Sequence, residues 1–459
     1  MNGLINRINE FVWGVPALLC ILAVGVNLSI RSRFVQLRLF PTAFKAFLDH
    51  LKKEDGATGQ SSFRALCTAL AATVGTGNIA GVAGAIAIGG PGSIFWMWVC
   101  AILGMVTKFA EATISVQYRK KDADGSFIGG PMYMIEKGLG AKWCWLGTCY
   151  CLFGIVAAFG MGNATQINAV IASVDSVLSY MGIGESFWIN LAVGLLFSVV
   201  AAYCLFKGNR KIGDIASVLV PVASAAYITM GFGALLFHAE RIPAAMSDII
   251  QGAFSPKAVT GGILGSAFTA LRVGASRGTF TNEAGMGTAA IAHGESAVEH
   301  PLEQGFMGIM EVFLDTIVIC TITALVILTS GTGIQYGMDE GAALTTRAFS
   351  CTYGEWVSVP MALFLCCFAF ATMLGWGMYG LRCAQYLFGE GAWKKFVLVQ
   401  AVVSIASVLL KTGTVWMLAE IVNGLMAIPN LICLAVLTPE FLIIVDSFQK
   451  KKNAKRHSS

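Results

Sequence analysis

At the centre of an otherwise apolar stretch from Ala71 to Gly89 stand Gly75, Thr76, Gly77 and Asn78. Glycine has low helix propensity, and Thr and Asn side chains compete for backbone hydrogen bonds. The stretch is long enough to span a bilayer, where freed N–H and C=O groups persist only if protein or a polar cavity satisfies them. A helix broken there presents bare N–H groups around Thr76, Gly77 and Asn78 at the positive end of a half-helix, which suits the carboxylate of a small zwitterion near the midplane. The run is not a dinucleotide fingerprint, because no strand precedes it and the third glycine is misplaced. Gly81, Gly84 and Gly104 read as close-packing positions.

Other polar groups sit inside apolar segments. Gln166, in G-M-G-N-A-T-Q-I-N, offers donors and an acceptor either to a zwitterion or to a neighbouring helix. Trp376 follows Thr372 by one helical turn on the same face, where its indole would shrink a pocket or simply pack. Phe268 is a second aromatic for that wall, with core packing as its ordinary role. Lys108 and Glu111 are three apart, Glu311 and Asp315 four apart, so each pair shares a helix face. Arg272 and Arg277 are candidate partners for Glu311 and Asp315. Such buried charges form a structural ion network, a gate or a proton relay; a relay would let H⁺ rather than Na⁺ drive transport.

The elements that carry these residues follow from composition. The 459 residues are 56% hydrophobic and 12% charged, with mean hydropathy +0.71, which places the chain among integral membrane proteins. Windows of about 20 apolar residues give about eleven spans, starting near residues 11, 66, 92, 144, 187, 213, 262, 304, 357, 396 and 414. The first span lacks a cleavage pattern and reads as a retained helix. Lys and Arg concentrate in the loops after spans 1, 3, 5 and 9 and in the C-terminal tail, which predicts an N-terminus outside and a cytoplasmic C-terminus in the plasma (inner) membrane. The net charge of +5 is mostly this orientation signal, so the basic tail predicts no nucleic-acid partner; membrane lipid surrounds the chain. Thirteen cysteines and five histidines follow no zinc or disulfide spacing, and no cofactor or resident metal is expected. Residues 331–355 are long enough for a small external helix or lid. The sequence sets no oligomeric state.

A second interrupted segment runs from Gly265 to Ala292, broken by Gly274, Gly278, Gly285 and Gly287, and Asn282-Glu283-Ala284-Gly285 echoes Asn78-Ile79-Ala80-Gly81. These two segments are spans 2 and 7, five apart, and therefore cross the membrane in opposite directions. That is the arrangement of an inverted five-helix repeat with matched broken helices.

The loop G-G-P-M-Y-M-I-E-K-G-L-G from Gly129 to Gly140, the V-G-T-G-N-I-A-G segment, Ser276-Arg277-Gly278 through Thr281-Asn282-Glu283-Ala284-Gly285, and Thr372-Met373-Leu374-Gly375-Trp376 together resemble the alanine or glycine:cation symporter family. The resemblance covers most of the chain. It implies an all-α integral membrane transporter with an extra N-terminal helix (residues 11–30), a first repeat (66–237), a second repeat (262–438) and a cytoplasmic tail (439–459). It implies symport of a small neutral amino acid, alanine or glycine, with Na⁺ or in some members H⁺, and favours Gln166 as a substrate contact. It also implies a cation site in which the Ala71 and Val74 carbonyls face the Thr372 hydroxyl, with Thr73 as a further ligand; uncharged oxygens suffice for such an ion. A glutamine- or serine-preferring transporter is the nearby alternative. A channel would not need two matched breaks. A membrane-embedded enzyme would need a nucleophile–base pair, metal motif or nucleotide loop, and no H-E-x-x-H, G-x-S-x-G or Walker pattern is found.

Overall fold

The computed structural model describes residues 16–52, 61–122, 125–255, 267–338, 340–409 and 412–457. The start of span 1, residues 262–266 of span 7, and Arg7, Lys53, Lys257, Asp339 and Lys411 lie outside them. Among the described residues eight helices are long and apolar enough to cross a membrane, and a bent pair makes a ninth. The two other expected spans are Pro16–Arg31, and Ala267–Asn282 followed by Thr288–Gly294. Each begins at the edge of a segment outside the described residues. Among the described residues the chain is all-α apart from one antiparallel pairing of Lys120–Lys121 with Phe127–Ile128.

Span 2 is broken as the Gly-Thr-Gly-Asn run predicts. Ser62–Thr73 ends in an extended Val74 (φ −74°, ψ 95°), and the chain resumes as a widened helical turn, Gly77–Gly81, leading into Val82–Gly89. The two halves meet at 52°. Span 7 is interrupted at the matching place: between Asn282 and Thr288 the backbone takes left-handed conformations at Glu283 (φ 54°), Gly285 (φ 92°) and Gly287 (φ 78°). Glycine reaches that region without a Cβ penalty, whereas Glu283 occupies it at a cost of order 1–3 kcal/mol.

Each break is braced from outside its helix by a short connecting helix. The helix Ala342–Tyr353, within the segment read as a lid, donates from Thr345 Oγ1 to Ile79 O (3.0 Å). On the opposite side of the fold, Pro131–Met134 opens the signature loop, and a Cβ on Gly287 would fall 2.5 Å from Pro131 Cγ. Ser115 fastens that loop to span 7, donating to Ala290 O and accepting from Gly130 N–H. The tail read as starting at 439 continues the last helix, Thr412–His457.

Candidate functional site

Val74, Gly75 and Asn78 supply N–H groups that bridge the first break. Val74 N–H reaches Leu70 O (2.7 Å), Gly75 N–H donates to Asn78 Oδ1 (2.9 Å), and Asn78 N–H reaches Gly75 O (3.3 Å). Asn78 itself is fully buried, and its amide donates to Asp315 Oδ1 at 2.6 Å. It holds the turn rather than facing a cavity.

The second break is closed by the protein's own acids. Glu111 Oε1 accepts from Gly285 N–H and Gly287 N–H, both at 3.1 Å, and from Asn430 Nδ2 at 2.6 Å. Glu283 accepts from Thr288 Oγ1 (2.6 Å) and from Trp376 Nε1 (2.8 Å). A carboxylate bonded to backbone N–H groups is the arrangement that a bound substrate carboxylate would make, here supplied internally.

Span 9, Ser358–Phe388, runs between span 2 and span 4. A Cβ on Gly75 would meet Thr372 Oγ1 at 2.8 Å, one on Gly375 would meet Ala72 N at 3.0 Å, and one on Gly162 would meet Trp376 Cβ at 2.2 Å. Gly162 lies in a widened turn, Gly160–Ala164, leading into Thr165–Tyr180. Spans 4 and 9 are antiparallel, so contact of Gly162 with Trp376 brings Gln166 level with Thr372, one turn along each helix. Thr76 Oγ1, Gln166 Oε1 and Thr372 Oγ1 are buried with no hydrogen-bond partner among the described residues. Three unpaired oxygens are a costly arrangement for a structural core. They fit a place where polar cargo binds.

Other expected members are placed differently. Thr73 Oγ1 donates back to Ala69 O (3.2 Å), while Ala71 and Val74 are buried at the end of the first half-helix. Phe268 is 60% exposed and lies away from this site, on the outside of its helix. A cavity of about 520 Å³ opens one turn beyond Gly77, lined by Ala80, Gly81, Asn168, Arg277, Glu340 and Glu420 among others.

The intramembrane charges fall into separate buried groups, with partners the sequence did not indicate. Lys108 Nζ pairs with Glu311 Oε1 (2.7 Å), and Glu311 Oε2 meets His293 Nε2 (2.9 Å). His293 Nδ1 lies 2.6 Å from Gln304 Nε2, and Ser62 Oγ donates to Gln304 Oε1 (2.7 Å). This chain ties the start of span 2 to the second half of span 7. Neither Arg272 nor Arg277 joins Glu311 or Asp315; Arg277 pairs with Glu420 at 3.4 Å. Arg277 sits on the half of span 7 that precedes the break, level with the cavity rather than with span 8. Glu283, His293, Gln304 and Asn430 were not singled out from the sequence. Glu283 carried a readable signal, a carboxylate inside a glycine-interrupted span; the other three are neutral or isolated, and only packing reveals their partners.

Comparison with known proteins decides the family. The model of the sodium:alanine symporter family matches residues 1–459. The chain belongs to that family. The symporter is 39% identical over 443 residues to the sodium/alanine symporter AgcS of Methanococcus maripaludis, covering 95% of this chain and 94% of that one. It is 33% identical to the probable sodium/glutamine symporter GlnT of Bacillus subtilis, covering 99% and 92%. Its fold matches that of MhsT in complex with L-phenylalanine, with TM-score 0.59 at 15% identity over 85% of this chain and 99% of that one. A manganese transporter from Eremococcus coleocola matches with TM-score 0.52, 14% identity and 85% and 80% coverage. The protein is therefore a multi-pass, sodium-coupled amino-acid symporter and not an enzyme.

Proposed function

We propose that this symporter carries a small neutral amino acid, alanine or glycine, inward with Na⁺ across the plasma membrane, with its N-terminus outside and its C-terminus in the cytoplasm. The reading rests on three buried oxygens without a hydrogen-bond partner among the described residues, Thr76 Oγ1, Gln166 Oε1 and Thr372 Oγ1. The N–H groups of Gly285 and Gly287 at the second break are capped by Glu111, while the unpartnered Thr76 oxygen stands at the first. The substrate carboxylate therefore docks at Thr76, Gly77 and the Asn78 turn, with Gln166 Oε1 available to the ammonium group. Trp376, fully buried and fixed by Glu283 and Gly162, closes the pocket against larger side chains. A change that adds bulk there acts by sterics, and one methylene in such a wall is worth about 1–3 kcal/mol of discrimination.

The Na⁺ ligands in this reading are the Ala71 and Val74 carbonyls and the Thr372 hydroxyl, whose oxygen lies against Gly75. Thr73 is omitted because its hydroxyl is engaged within its own helix. Neutral oxygens hold a monovalent cation without a buried countercharge, and the substrate carboxylate one turn away supplies the compensating charge. That proximity makes binding of cation and amino acid mutually reinforcing.

The test is uptake of labelled alanine into proteoliposomes under an imposed Na⁺ gradient and, separately, an imposed pH gradient, with glycine, serine, D-alanine and glutamine as competitors. Uptake driven by Na⁺ and suppressed by glycine but not by glutamine supports the proposal. Uptake driven only by the pH gradient, or suppressed equally by glutamine, overturns the ion or the size assignment respectively.

A further inference from the structure

Asp315 lies in a widened turn of span 8, Phe313–Cys320, and is fully buried. Its bonds link the two breaks. On one side Asn78 Nδ2 donates to Asp315 Oδ1 (2.6 Å) and to Asp315 O (3.1 Å), while Asn78 Oδ1 accepts from Gly75 N–H (2.9 Å). On the other, Thr316 Oγ1 donates to Asp315 Oδ2 (2.7 Å) and accepts from Asn282 Nδ2 (3.2 Å), while Asn282 Oδ1 accepts from Ala284 N–H (3.0 Å). An uninterrupted chain therefore runs from Gly75 through Asn78, Asp315, Thr316 and Asn282 to Ala284. Asn78, Thr316 and Asn282 are each at most 1% exposed, so the chain is shielded from bulk solvent.

The two asparagines do the same work at the two breaks. Each spends its carbonyl oxygen on an N–H freed by unwinding and its amide on span 8. A single carboxylate receives both lines, one directly and one through Thr316. A carboxyl group offers two oxygens on one carbon, so Asp315 accepts both lines at once, whereas an amide offers a single oxygen. Lys108 nearby is already paired with Glu311, and the side chain of Asp315 is bonded to Asn78 and Thr316.

We propose that Asp315 is a positioning residue for coupling: by fixing the Val74–Asn78 turn to the Asn282–Gly287 turn, it sets the affinity of the cation site and makes that affinity depend on the second broken helix. This rests on the Na⁺ assignment to the first break. If the Gly75 turn loosens, the Val74 carbonyl loses its aim at the ion, although Asp315 itself touches neither ion nor substrate.

The experiment measures Na⁺-dependent alanine uptake in proteoliposomes for the full chain. Asp315→Asn keeps the shape and leaves a single acceptor oxygen. The expected result is a rise of about tenfold in the Na⁺ concentration for half-maximal uptake, from the loss of one buried hydrogen bond in the chain, with maximal rate at saturating Na⁺ retained. A double-mutant cycle then combines Asn78→Ala with Asn282→Ala, read as half-saturating Na⁺. The two should be non-additive with Asp315 present and additive in an Asp315→Ala background. Where Asp315→Asn yields no folded protein, Thr316→Val keeps the carboxylate and cuts the chain, and should raise half-saturating Na⁺ in the same direction. Wild-type Na⁺ dependence in a folded Asp315→Asn or Thr316→Val, or additivity of the asparagines with Asp315 present, overturns the proposal. So does an unchanged Na⁺ response accompanied by loss of pH dependence, which would make Asp315 a proton carrier. If Na⁺ fails to stimulate the wild-type protein at all, it is the Na⁺ reading that fails.

Discussion

Replacing Gly75 with alanine tests the cation site with a single methyl group. The new Cβ would lie 2.8 Å from Thr372 Oγ1, while its next neighbours, Thr372 Cβ and Thr73 O, are each at 3.9 Å. The conflict is confined to one hydroxyl. Threonine in a helix has few rotamers to escape into, and any rotation carries its oxygen away from the break. Overpacking of this kind costs about 1–3 kcal/mol. If that cost falls on the cation-bound form, half-saturating Na⁺ rises roughly 5- to 150-fold, while the maximal rate at saturating Na⁺ stays near that of the wild type. The assay is uptake against Na⁺ concentration in proteoliposomes, with melting of the detergent-solubilised protein with and without NaCl. A ligand at about 100 times its Kd stabilises by about 2.7 kcal/mol, so the Na⁺-dependent gain in Tm should shrink in parallel. Thr372→Ala should reproduce the loss, and Gly75→Ala added to it should do little more. Wild-type Na⁺ dependence in Gly75→Ala, or strictly additive effects of the two changes, would refute the placement of the ion between them.

Three further outcomes are expected. Gly77→Leu, whose Cβ already meets Thr281 Oγ1 at 3.2 Å, should abolish uptake in protein that still inserts; normal uptake by a folded variant removes the carboxylate site from this turn. Gly162→Ala would place a methyl 2.2 Å from Trp376 Cβ, and should lower thermal stability by at least the ~1–3 kcal/mol of ordinary overpacking, a loss that calorimetry or a melting assay detects. Lys108→Met leaves Glu311 buried without its lysine and should cost about 3–5 kcal/mol, whereas Lys108→Met with Glu311→Leu should recover most of it; equal Tm in the single and double variants argues that the pair is structurally idle.

The place where span 2 breaks was legible because helix propensity and bilayer solvation act locally. Gly75, Gly77 and Asn78 cannot hold a stable helix as well as their apolar neighbours do, and no distant residue changes that. The matched interruption of span 7 was legible for the same reason, as was the membrane class of the chain. Phe268 shows where this stops: in a segment as rich in Gly and Ala as span 7, hydrophobic periodicity does not choose a face, and the ring lies outward.

Partners across helices belonged to the tertiary structure alone. Glu111 caps N–H groups 174 residues away in sequence, and Asn78 meets an aspartate 237 residues on. The spacing of Lys108 and Glu111 revealed a shared face but not that one would bind Glu311 and the other the second break. A buried charge takes whichever partner packing brings within about 3 Å, so its role is decided by the crossing of helices. Amino-acid order determined where the backbone would open; only the folded arrangement decided which residues brace each opening.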